Sequence, residues 1–193
     1  GMPVQHNFEL FHTKSIRTPT GIPILLHNIL GDIMVEEVGY NYREKNALFV
    51  SSSLKEAVAY GTSYAVFPIG DFEYTFNKKC GDMFVELNSS YSWTHIKDPD
   101  LIDHKKEIVA ALEYIFVFKL KSYDSVIRRD SEIDKLIQKY CKYLLTTIFP
   151  IIHNRDLGLA IEENDEIIIT TDSFYGINCE MLKNSSVVDD IFG

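Results

Sequence analysis

Residues 130–149, DSEIDKLIQKYCKYLLTTIF, constrain the fold more than any other stretch of the chain. Ile133, Leu136, Ile137, Tyr140, Cys141, Leu144, Leu145 and Ile148 recur at three- and four-residue intervals, so a helix gathers them into one apolar stripe. A helix with such a stripe is held in water mainly by whatever covers it, so the rest of the chain must supply a core. A second helical pattern occupies 18–39, where Leu25, Leu26, Ile29, Leu30, Ile33 and Met34 follow Pro23, which suits a first turn. A third occupies 98–114, with Asp98 placed as an N-cap and Pro99 at the first helical position.

Between these helices lie short segments bounded by turn residues, at 7–14, 46–51, 63–70, 71–77, 81–87, 114–120 and 165–177, which read as strands. A short helix, 54–61, ends at Gly61. The 11 Tyr and 12 Phe among 193 residues favour sheet in the core. Strands and helices alternate irregularly, which predicts an α+β fold with a split, mainly antiparallel sheet flanked by helices. The length suits one domain, assigned to 6–193. Gly1 ahead of Met2 reads as a cleavage scar, and 1–5 as an expression remnant and tail.

The formal charge of −9 opposes binding to nucleic acid or an anionic membrane. The basic runs (Lys78 with Lys79, His104 with Lys105 and Lys106, Arg128 with Arg129) are short and read as solvated faces. No stretch is long and apolar enough to span a membrane, and no secretory leader is expected. Cys80, Cys141 and Cys179 form no CxxC pair, and the six histidines form no HxxxH pair, which excludes the usual zinc spacings. No GxGxxG or P-loop is present. The expected setting is a reducing cytoplasm.

Polar chemistry gathers in three places. LFHTKSIRTP at 10–19 carries His12, Thr13, Ser15 and Arg17. ALFVSSSLKEAVAYG at 47–61 carries Ser51, Ser52 and Ser53, with Tyr60 at the end of the short helix. EENDEIII at 162–169 carries Glu162, Glu163 and Glu166. Each has a plain structural use. Ser53 with Glu56 scans as a capping box, Tyr60 as a core aromatic, and the acids as a charged turn.

Together and in this order, the three islands resemble the ADP-ribosyltransferase superfamily, in the branch of poly-ADP-ribose polymerases and diphtheria-type toxins. That family carries a His followed by a small or hydroxyl residue on its first strand, matched here by FHTKS. It has an aromatic strand entering a serine-bearing helix that ends in Tyr, matched by LFVSSSLKEAVAYG, and a Glu heading a late apolar strand, matched by DEIIIT. The resemblance implies NAD as substrate, with ADP-ribosyl transfer to a macromolecular acceptor such as a protein, or NAD hydrolysis. It implies Glu166 as the catalytic carboxylate. It also implies that His12, Thr13, Ser51, Ser52 and Tyr60 contact the dinucleotide, with no metal. The expected partners are therefore NAD and an acceptor, and neither a membrane nor nucleic acid.

The chain departs from the family pattern where Thr13 replaces a Gly and Phe49 replaces a Tyr. The serine run also matches the Ser-Thr-Ser motif of the arginine-type toxins, with His12 where that branch has Arg. The stretch through SYAVFPIGDFEYTF is similar to small bacteriophage proteins. Two rivals therefore stay open: a degenerate nucleotide-binding or protein-interaction module, and an unrelated α+β protein in which the motifs are accidental.

Overall fold

The computed structural model describes residues 8–13, 22–41, 47–59, 61–118, 131–163 and 165–182. The expected tail at 1–5, Ser15, Arg17, Tyr60, Arg128 and Arg129 lie outside the described residues.

Two antiparallel sheets organise the described strands. The first holds three strands, β1 (Phe8–His12), β3 (Tyr64–Pro68) and β7 (Ser173–Asn178), in the order β1-β7-β3. The second holds β2 (Ala47–Ser51), β4 (Glu73–Asn77), β5 (Ile151–His153) and β6 (Glu166–Thr170), in the order β2-β6-β4-β5. The fold is α+β, and every strand pairing among the described residues is antiparallel.

Alternation assigns the two faces of the second sheet. Ile167 and Ile169 join Phe76, Val50, Tyr74 and Ile152 against Leu157 and Ala160 of helix α8 (Leu157–Glu163). Ile168 faces the other way, with Phe49 and Ala47, against Met34 and Val38 of helix α1 (Ile24–Val38). α1 also faces the main helical core. There Leu25, Leu26, Ile29, Leu30 and Ile33 meet Ile108, Leu112 and Ile115 of α6 (Lys105–Phe118) and Ile137, Tyr140 and Cys141 of α7 (Ser131–Tyr143). The stripe in 130–149 is therefore covered as its spacing requires. It ends in a π-helical turn, Leu144–Ile148, that buries Leu144 and Leu145.

Several elements differ from the sequence expectation. Residues 81–87 form a helix, α3 (Met83–Leu87), rather than a strand. The Asp82 carboxylate caps it by accepting from the Phe84 N–H at 2.7 Å, and Met83 and Leu87, four apart, are buried together. The expected strand at 114–120 is the end of α6 as far as Phe118, because the buried spacing of Ile108, Leu112 and Ile115 continues through it. The helix at 98–114 breaks at His104 into α5 (Pro99–Asp103) and α6, with Asp98 capping α5 as expected. Strands β3 and β4 flank Gly70 (φ 73°) but part into different sheets. The late strand also divides. Buried Thr171 donates its hydroxyl to the Ser173 carbonyl at 2.9 Å, and the chain passes from β6 in one sheet to β7 in the other.

The remaining elements are the short helices α2 (Leu54–Ala59), α4 (Ser90–His95) and α9 (Cys179–Leu182). No helix among the described residues is long and apolar enough to cross a membrane.

Candidate functional site

The site forms at the mouth of the second sheet, where β2 ends and β6 begins. Ser51, the last residue of β2, stands directly opposite Glu166, the first residue of β6. Directly opposed residues in an antiparallel pair project to the same face, with Cβ atoms about 4.5–5.5 Å apart. A hydroxyl and a half-buried carboxylate therefore share one position at the sheet edge. On the other side of β6, Phe76 pairs with Ile167, so the register sets buried Asn77 beside Glu166 one step further on.

The serine run is tied to the backbone on both sides. The Ser51 hydroxyl accepts from the Ser53 N–H at 3.0 Å, turning the chain out of β2. The Ser53 carbonyl accepts from the Ala57 N–H at 3.0 Å and opens α2. The Ser52 hydroxyl donates to the Ile161 carbonyl at 3.0 Å, linking the β2–α2 junction to α8. A serine hydroxyl can both donate and accept, so the same groups that shape this junction are chemically suited to a polar ligand.

Behind Glu166 the chain is clasped. Asp165 is fully buried, and its Oδ1 accepts from the Cys80 N–H at 2.8 Å. The Glu166 N–H donates to the Cys80 carbonyl at 3.2 Å, and the Asp165 N–H donates to the Ala160 carbonyl at 2.9 Å. Burial pushes the Asp165 carboxyl above its ordinary value, with Glu163 adding repulsion, while the Lys79 and Cys80 N–H groups pull it back. Burial also pushes the Cys80 thiol up, and the negative charges of Glu166, Glu86, Asp165 and Asp82 push it further. That thiol is held protonated and is no nucleophile.

His12 ends β1 in the first sheet and Thr13 follows it, both facing the junction between β6 and β7. His12 is exposed and pairs with Ser173. The Thr13 N–H donates to the Asp172 carbonyl at 3.1 Å, and its hydroxyl donates to the Thr171 carbonyl. Both residues thus sit where β6 hands over to β7, whereas Glu166 begins β6. At the usual strand rise, roughly 16 Å of β6 separates Glu166 from Thr171. The structure brings Ser51 and Glu166 together, leaves His12 and Thr13 beyond the far end of β6, and places Glu162 and Glu163 at the exposed end of α8.

Asp165 was the residue that sequence reasoning passed over. Its signal was faint: it is one of two consecutive acids ahead of the β-branched run IIIT, strand alternation sends the two to opposite faces, and only tertiary packing decides which of them is buried. Among the described residues no group of three or more His, Cys, Asp or Glu is placed to hold a metal ion. Comparison of the chain with protein-family models, curated proteins and solved structures returned no match.

Proposed function

We propose that the chain cleaves the nicotinamide–ribose bond of NAD and transfers ADP-ribose to a macromolecular acceptor such as a protein, or to water. The observation that carries this reading is the Ser51–Glu166 pair at the mouth of the second sheet. Cleavage breaks the bond between C1′ and the nicotinamide nitrogen, and the bonding pair leaves with nicotinamide. Positive charge grows on the ribose, and a fixed carboxylate stabilises it, as in glycoside hydrolysis. Glu166 is that carboxylate in this reading. Ser51, directly opposite it in the register, orients it or the sugar, and the acceptor nucleophile adds to C1′ and gives up its proton to water. The far end of β6, with His12 and Thr13, takes the adenosine half of the extended dinucleotide. The three free cysteines suit a reducing, cytoplasmic setting.

A second reading also has an observation behind it. Ser51 and Ser52 already serve the backbone, so the pair at the sheet mouth also fits a nucleotide-binding or protein-interaction module without turnover. Calorimetry and nicotinamide release at millimolar NAD, without divalent metal, separate the two. Binding with release supports the transferase or hydrolase. Binding without release supports the module, and the absence of both removes NAD from the account.

A further inference from the structure

We propose that Asp165 is a positioning residue that aims Glu166, an inference that rests on the reading of Glu166 as the working carboxylate. Glu166 heads its strand, and a strand terminus frays unless its backbone is held. The hold here runs through one residue of the turn after β4. The Cys80 N–H is shared between the Asn77 carbonyl at 3.1 Å and Asp165 Oδ1 at 2.8 Å. The Cys80 carbonyl in turn accepts the Glu166 N–H at 3.2 Å. Cys80 is therefore gripped from both sides by consecutive residues, one through a side chain and one through the main chain. Asp165 also closes the end of α8 through its own N–H to the Ala160 carbonyl. This single residue fixes α8, the turn after β4 and the first residue of β6 against one another. Successive strand residues point to opposite faces, so Asp165 anchors inward while Glu166 is presented at the mouth.

The turn that Asp165 holds needs holding. Lys79, just before Cys80, has a φ of 62°, a left-handed conformation that a lysine adopts only under constraint from its surroundings. A backbone acceptor in the form of a buried carboxylate supplies that constraint. The requirement is for an acceptor oxygen at Oδ1, not for a negative charge, so Asn at this position preserves the clasp and Ala removes it.

The test compares wild type, Asp165→Asn and Asp165→Ala in the full chain, by NAD turnover and by NMR amide hydrogen exchange at Cys80 and Glu166. In wild type both amides are expected to be protected. Exchange at the rate of an exposed loop overturns the clasp whatever NAD does. Asp165→Asn is expected to keep protection and near-wild-type kcat. Asp165→Ala is expected to lose protection at Glu166 and about 10²-fold in kcat with little change in KM, the cost of a misaimed group. A folded Asp165→Ala with wild-type kcat overturns the proposal. Should Asp165→Ala fail to fold, Asp165→Asn decides. A kcat as low as that of Glu166→Gln, with both amides still protected, assigns the effect to the charge and overturns positioning, whereas retained kcat supports it. A wild-type chain that turns over no NAD defeats the reading of Glu166, while amide exchange still reports separately on the clasp.

Discussion

Glu166→Gln keeps the length and outline of the side chain and removes its charge, so it isolates what the charge does. Loss of one preorganised electrostatic contact of this kind lowers turnover by about 10²–10³-fold. The fold should survive, because Glu166 is half-buried at a strand mouth rather than in the core. Glu163→Gln, on the exposed last turn of α8, is the control and should leave turnover unchanged. Nicotinamide release and melting temperature measured together separate the outcomes, and wild-type turnover in Glu166→Gln removes the assignment. Asp165 gives a different signature, in stability against pH. Burial raises its folded-state value, so between the ordinary aspartate value and the elevated one the folded chain binds a proton that the unfolded chain has released. The Asp165 contribution is then complete below the ordinary value and is lost as pH rises through the folded value. Urea unfolding across that window should show the decline in wild type and a flatter profile in Asp165→Asn.

At the scale of elements, the first sheet turns on the absence of a side chain at Gly176 in β7. The Phe11 ring of β1 lies over it, stacked on Phe174 at 5.1 Å and edge-on to Tyr64 at 5.4 Å. A Cβ at Gly176 would stand 2.6 Å from Phe11 Cε2 and 3.2 Å from Tyr64 Cδ1. Gly176→Ala must therefore displace the ring and should cost about 1–3 kcal/mol, read as a lower melting temperature. An unchanged value would mean that Phe11 is not seated there. The same elements show what periodicity conveys and what it does not. The stripe in α7 and the spacing in α1 were legible because a long helix repeats its signal many times. Residues 81–87 were not, because GDMFVEL has both a strand-like run and a cap at Asp82, and five residues hold too little repetition to decide. The local β preference of YIFVF lost to the burial of Ile108, Leu112 and Ile115, which needs the helical core to exist first. In the candidate site, the order of motifs pointed to Ser51 and Glu166 separately. Their pairing is long-range register, set by sheet assembly and unreadable from either segment alone. The Asp165 clasp depends on a turn 85 residues away.

Helix α1 joins the helical layer to the second sheet, because it belongs to two cores at once. Its first three turns bury Leu25, Leu26, Ile29, Leu30 and Ile33 among the helices, and Met34 then crosses to Ile168 in the centre of the second sheet. A helix shared in this way makes separate melting of the helical layer and the sheet costly, because either one alone leaves an apolar face of α1 in water. The single tryptophan makes this testable. Trp93 stacks on Tyr140 with ring centres 4.6 Å apart, against the helical core. Its fluorescence reports on the helical core, while the far-ultraviolet circular dichroism reports on both layers. In wild type the two thermal transitions should coincide, as expected for one cooperative unit. Met34→Ala truncates a side chain with no exposed surface at the junction between helix and sheet. It should cost about 2–5 kcal/mol, a large share of the roughly 5–15 kcal/mol that stabilises a typical domain. The decisive result is the shape of the loss. If α1 couples the layers, both signals move together to lower temperature. If the dichroism falls while Trp93 keeps its native emission, the sheet opens by itself and the mouth at Ser51 and Glu166 belongs to a separately melting unit.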